Sequence, residues 1–104
     1  MKISFYFQKF DESCKKELRD YLTEKKLNRL ERLLHHGNLE LAKFRVHAEY
    51  FPHHNAVLVK LTLSIKKHEF IAEKRTFNII EAFDIAFDNL IIQVRKLEDK
   101  LYRR

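Results

Sequence analysis

Apolar and polar residues alternate in three stretches of the chain, which a fourth strand follows, and apolar residues recur at steps of three and four in two others. From Lys2 to Gln8, Ile3, Phe5 and Phe7 fall on one side, with Lys2, Ser4 and Tyr6 on the other. From Lys43 to Phe51, Phe44, Val46, Ala48 and Tyr50 oppose Lys43, Arg45, His47 and Glu49. Val57 to Lys66 carries the longest alternation, with Val57, Val59, Leu61, Leu63 and Ile65 on one side. Glu69 to Arg75 follows after the tight connection Lys67-His68. A period of two marks strands with one buried face. Pro52-His53-His54-Asn55 is a turn by composition. The short connections between the last three strands require antiparallel neighbours.

Near the end of the chain, Ile80, Phe83, Phe87, Leu90, Val94, Leu97 and Leu101 recur at alternating steps of three and four. This spacing predicts one apolar stripe on an α-helix from Asn78 to Tyr102. Asn78 is placed to cap it, with Glu81 three residues on completing a capping box. Glu81, Asp84 and Asp88 lie in its first half, and Arg95, Lys96, Lys100, Arg103 and Arg104 at or beyond its far end. Both placements suit the helix dipole. Ile92 falls about 160° from the centre of the stripe and is expected to be exposed.

An earlier helix runs from about Ser13 to Leu34, with Asp11 or Ser13 as its cap. His35-His36-Gly37-Asn38 ends it, with Gly37 at the left-handed position after the last turn. Its apolar pattern is split. Cys14, Leu18 and Tyr21 share one face, and Leu27, Leu30 and Leu34 another, with Leu18 and Leu27 about 180° apart. Either different neighbours wrap its two ends, or an extra residue is absorbed near Tyr21–Lys25 as a bulge.

The order strand, helix, strand, strand, strand, helix gives an α+β fold, a βαβββα two-layer domain over residues 1–104. Its four-stranded, mostly antiparallel sheet has both helices packed on one face. Ile3, Phe5, Val46, Ala48, Val59, Leu61 and Leu63 belong to the covered face. Arg45, His47, Lys60, Thr62, Lys66 and Arg75 belong to the open one.

Composition narrows the function. With 104 residues, 45% of them apolar, the chain can build a core without metal or disulfides. Its single cysteine, Cys14, allows no internal bridge and fits a cytoplasmic setting. No apolar run reaches the roughly 20 residues of a membrane span. The opening MKISFYFQKF is too short and interrupted for a secretory signal. No nucleophile elbow, phosphate loop or dinucleotide fingerprint is present, so neither an enzyme nor a cofactor or small-molecule substrate is indicated. The pairs His35-His36 and His53-His54 diverge as neighbours and lack a metal-ligand spacing. Cys14, near a helix start, would have a lowered pKa if reactive; a structural thiol is the simpler reading.

The 21 basic residues against 15 acidic ones leave a net charge of +6, which favours a polyanionic partner. Lys25, Arg29 and Arg32 form an outward stripe on the first helix. Lys96, Lys100 and Arg103 lie opposite the apolar stripe of the second. Helices side by side on the sheet would merge these into one positive ridge suited to phosphate contacts. Aromatic candidates on the open sheet face, Tyr6 and Phe51, are few, which favours helix-borne binding to structured RNA over base stacking.

Leu22 through Arg32, with its core Lys25-Lys26-Leu27-Asn28-Arg29-Leu30-Glu31-Arg32, resembles the first helix of the bacterial ribosome hibernation-promoting factors, or ribosome-associated inhibitors. Asn78-Ile79-Ile80-Glu81-Ala82-Phe83-Asp84 resembles the opening of that family's second helix, and Gln93, Arg95, Lys96 and Lys100 its tail. The element order is similar across essentially the whole chain. The resemblance implies binding to the small ribosomal subunit, in the channel of messenger RNA and transfer RNA anticodon stems. It further implies inhibition of translation by occupancy during stress-linked hibernation, without chemistry. The implied contacts to ribosomal RNA are Lys26, Arg29, Arg32, Arg95, Lys96 and Lys100, with Lys25 and Arg103 from the ridge. Length implies the short form of the family. Asn89 and Ile92 stand where the family usually has basic residues, and the first helix carries one extra residue before Lys25. The alternative is a protein-interaction module on the same fold, meeting its partner around Ile92.

Overall fold

The structure, a computed structural model, describes residues 1–33, 42–65 and 67–102. Strand β1 (Lys2–Gln8) leads into helix α1 (Glu12–Tyr21), a π-helical turn (Leu22–Lys26) and helix α2 (Leu27–Leu33). Then come β2 (Lys43–Phe51), a 3₁₀ turn (Pro52–His54), β3 (Ala56–Ile65), β4 (His68–Thr76) and α3 (Ile79–Tyr102). Tyr21, Leu22 and Leu27 all keep right-handed helical dihedrals. α1, the π turn and α2 are therefore one continuous rod, and the order is the expected βαβββα. The proposed stop at His35-His36-Gly37-Asn38, with Leu34, lies outside the described residues.

The sheet runs in the order β1-β2-β3-β4. β1 pairs with β2 in parallel, because the helical rod returns the chain to the same end. β2–β3 and β3–β4 are antiparallel, as their short connections require. Asn55 takes a left-handed conformation (φ 46°) to close the turn after Pro52–His54. Alternate residues point into one core: Phe44, Val46 and Ala48 from β2, and Val57, Val59, Leu61, Leu63 and Ile65 from β3. Ile3, Phe5 and Phe7 pack against it from β1.

α3 covers β3 and β4. Its buried stripe is wider than the seven spaced positions. Phe83, Phe87, Leu90 and Val94 are buried as expected, and so are Ile79, Ala82, Ala86 and Ile91. The two alanines let the helix backbone approach its neighbours. Ile80 and Leu97 are only half-buried, at the flank of the stripe. An aromatic seam ties the layers together. Tyr21 meets Phe83 edge-on at 6.0 Å, Phe83 stacks on Phe87 at 5.6 Å, and Phe87 meets Phe44 of β2 at 6.4 Å. Full burial of each of the three phenylalanine rings is worth about 1.5–3 kcal/mol.

The helix starts obey local rules. Asp11 accepts from the amide of Cys14 at 2.8 Å, which makes Asp11, rather than Ser13, the cap of α1. That bond holds the Asp11 carboxyl below its usual pKa. Asn78 Oδ1 accepts from the amides of Ile80 (2.9 Å) and Glu81 (3.1 Å). Glu81 does not close the box: the amide of Asn78 donates instead to Thr76 Oγ1 at 3.1 Å.

Candidate nucleic-acid interface

The interface begins with the split apolar pattern of the first helical rod. The amide of Leu27 donates to the carbonyl of Leu22, five residues back, so one residue is absorbed in a π turn. The eight steps from Leu22 to Leu30 then advance the helix by about seven ordinary ones, within about 20° of alignment. Leu18, Leu22 and Leu30 consequently share one buried stripe. Of the two explanations open to the sequence, the bulge is the operative one. It also fixes the phase of every basic residue that follows.

That phase turns Lys26 and Arg29 toward α3. Lys26 Nζ lies 3.1 Å from Asp84 Oδ1, and Arg29 Nη1 donates to Asp88 Oδ1 at 2.9 Å. The Tyr21 hydroxyl sits 2.6 and 2.7 Å from the two carboxylate oxygens of Asp84, with Lys26 over its ring at 5.6 Å. Burial pushes the Tyr21 phenol up to about 12, helped by the hydrogen bond to Asp84 and the negative charges of Asp84 and Asp88. The three groups form a clasp between the rod and α3.

Above the clasp lies a groove of about 480 Å³, lined by Lys25, Asn28, Arg29, Arg32, Ile91 and Arg95. Two helices distant in sequence thus bring four cations around one opening. Arg29 spends only Nη1 on Asp88, so its remaining guanidinium donors stay available to a phosphate. Asn28 adds an amide able to donate or accept.

Among the described residues the single ridge expected from the sequence does not form. The side chain of Gln93 donates to the carbonyl of Ile71 at 2.9 Å, which places that flank of α3 over β4. On an ideal helix Lys100 falls within about 20° of Gln93 and Lys96 within about 60°, whereas Arg95 lies about 160° away. The basic tail of α3 is therefore split: Arg95 enters the groove, while Lys96 and Lys100 occupy the opposite flank. Arg103 lies outside the described residues. Ile92 is half-exposed, as expected (50%); a lone exposed apolar side chain needs no partner.

Asp84, Asp88, Asn28, Ile91 and Tyr21 were not among the candidate residues. A signal for three of them exists: Asp84, Asp88 and Ile91 lead to Arg95 at steps of four, three and four, a second stripe beside the core one. Cys14 is half-buried, and burial, with the neighbouring Asp11, raises its pKa instead of lowering it. Among the described residues no group of three or more His, Cys, Asp or Glu side chains is placed to hold a metal ion. No described helix is long and apolar enough to cross a membrane.

Residues 7–102 match the family described as sigma 54 modulation protein / S30EA ribosomal protein. The chain belongs to this family. Membership places it among ribosome-associated factors, as the two helical segments suggested. Among solved structures, the N-terminal domain of Thermus thermophilus Protein Y superposes with a TM-score of 0.70 at 21% identity, over 93% of this chain and 99% of that one. A ribosomal subunit interface protein from Coxiella burnetii gives 0.61 at 13% identity, over 94% and 98%. At these identities the likeness shows the fold. No curated protein sequence gives a match. Within this S30EA member, Arg75 does not join the groove. It lies on the open sheet face, opposite Leu58 in the register, with its guanidinium 4.8 Å above the Phe51 ring.

Proposed function

We propose that this S30EA family member binds the small ribosomal subunit in the channel that holds messenger RNA and transfer RNA anticodon stems, and inhibits translation by occupying it. The groove between α2 and α3 is the proposed contact with ribosomal RNA, through Lys25, Arg29, Arg32 and Arg95. The observation that carries this reading is the convergence of those cations, with Asn28, around one opening in a ribosome-associated family. The description of the Coxiella burnetii relative as a ribosomal subunit interface protein supports it. Lys26, locked to Asp84, acts as a strut for the groove. Lys96 and Lys100 contribute a second, flanking set of phosphate contacts, and Arg103 is proposed as a further contact to RNA. The chain acts by occupancy in this reading, and no reaction is assigned to it.

Phosphate contacts release counterions, so affinity should fall with salt by about 0.7–0.9 log units per contact. Co-sedimentation with purified ribosomes across a salt series tests this. Pelleting with the small subunit that weakens as salt rises is the expected result. Neutralising Arg29 and Arg32 together should flatten the salt dependence by roughly 1.4–1.8 log units per log unit of salt. An unchanged slope would remove the groove from the interface. Absence of pelleting at every salt, with capture of a protein partner lost on Ile92→Lys, would replace the proposal with the interaction-module reading.

A further inference from the structure

The face of the sheet turned away from the helices has an order that the strand register reveals. Tyr6, His47, Lys60 and Glu73 form one row across β1 to β4, and Ser4, Arg45, Thr62 and Ile71 the next. A third row holds Lys2, Lys43, Ser64 and Glu69. In these rows the cations lie over β1, β2 and β3, and the acids are confined to the edge strand β4. The central rows enclose a shallow depression of about 520 Å³ that includes Tyr6, Arg45, His47, Lys60 and Ile71, with Glu69 at its rim.

Two further observations point to an occupant. Tyr6 is 56% exposed, and His47 props its ring edge-to-face at 4.9 Å, leaving a fixed aromatic surface toward solvent. Among the described residues the side chains of Arg45 and Lys60 have no ion-pair or hydrogen-bond partner. This contrasts with Lys26 and Arg29 on the other layer, which are both paired. As diagonal neighbours on one face, Arg45 and Lys60 stand about 7–8 Å apart, with the aromatic platform beside them. Phe51 offers no such platform, because Arg75 covers its ring.

We infer that the open sheet face is a second nucleic-acid surface, which takes a single-stranded RNA segment with a base stacked on Tyr6 and phosphates on Arg45 and Lys60. An exposed ring flanked by unpaired cations suits an unpaired base and its backbone, since stacking needs no sequence and the phosphates supply the charge. Lys2 and Lys43 extend the positive track along β1 and β2. Glu69 and Glu73 bound it at β4 and Glu49 bounds it at the far end of β2, so the strand is expected to run from Lys2 and Lys43 toward Tyr6 rather than cross the sheet. This surface lies on the layer opposite the groove, so either can act without the other.

The test is fluorescence polarisation of labelled single-stranded RNA octamers, oligo(U) and oligo(A), titrated with the full chain at low salt. Tyr6→Ala should weaken binding about tenfold, within the range of one lost base stack. Tyr6→Phe keeps the ring and should stay within about twofold of the parent. Arg45→Gln with Lys60→Gln should weaken binding and flatten its salt dependence. Arg32→Gln with Arg95→Gln, in the groove, should weaken octamer binding less than Tyr6→Ala does. Tyr6 and both cations are at the surface or half-exposed, and thermal melts of each variant verify the fold. Absence of octamer binding overturns the inference. So does binding that survives Tyr6→Ala but is lost with the groove pair. Ribosome co-sedimentation of the same variants separates the two surfaces, because the groove pair alone is expected to abolish the groove-dependent part.

Discussion

Deleting Glu24 from the π turn removes a residue from a buried helical rod, yet it should leave the protein folded and about as stable. Glu24 is exposed, and the turn holds one residue more than an α-helix needs. Without it, Leu22 and Leu30 are seven ordinary steps apart and remain within about 20° on the wheel. Lys26, Arg29 and Arg32 keep their spacing to Leu30, so the contacts to Asp84 and Asp88 are retained, and the rod shortens by at most about 1.5 Å. Inserting one alanine after Glu24 does the opposite and turns Leu30 about 100° away from the core. Leu30 is fully buried, and withdrawing it resembles a leucine truncation, costing about 2–5 kcal/mol. That is a large share of the roughly 5–15 kcal/mol that stabilises a domain. At about 4–8 °C per kcal/mol for a small domain, the insertion should lower Tm by at least about 8 °C, while the deletion shifts it by no more than about 4 °C. Thermal unfolding followed by circular dichroism compares them directly. Equal destabilisation by both changes would refute the argument that the turn exists to correct the phase.

Three further outcomes follow from the clasp and the caps. Tyr21 titrates near 10.0 when unfolded and about 12 when folded, so its contribution is complete below pH 10 and is lost as pH rises toward 12. For this half-buried group it amounts to about 1–2 kcal/mol, read as the difference between the parent and Tyr21→Phe in urea melts at pH 9 and above; parallel curves would exclude the effect. Asp88→Asn releases Arg29 from a surface pair, so stability should change by less than about 1 kcal/mol while ribosome affinity rises a few-fold. A loss of affinity would mean that Asp88 positions Arg29 for binding. Asn78→Ala leaves the amides of Ile80 and Glu81 without their acceptor and should cost about 1 kcal/mol in urea denaturation, whereas Asn78→Asp should be nearly neutral.

The sequence by itself determined the elements and the layer each strand face belongs to. Burial of alternate side chains and of every third or fourth one is a local rule, so β2, β3 and α3 could be drawn from the apolar pattern alone, as could the exposure of Ile92. The tertiary structure decided which flank of each helix meets which neighbour. A helical wheel places Arg95 and Lys96 a single step apart on the outer half of α3. Only the packing over β4, anchored by Gln93, sends one to the groove and the other to the opposite side. The pairing of Tyr21 with Asp84, 63 residues away, and of Arg29 with Asp88, 59 residues away, depends on two helices lying side by side at one phase. That phase was ambiguous along the chain, because on an ordinary helix Leu18, Leu22 and Leu30 spread over about 120°, whereas the π turn draws them within about 40°. The cost of leaving any of them in water selects the π turn. The turn, in its place, sets which cations face the groove.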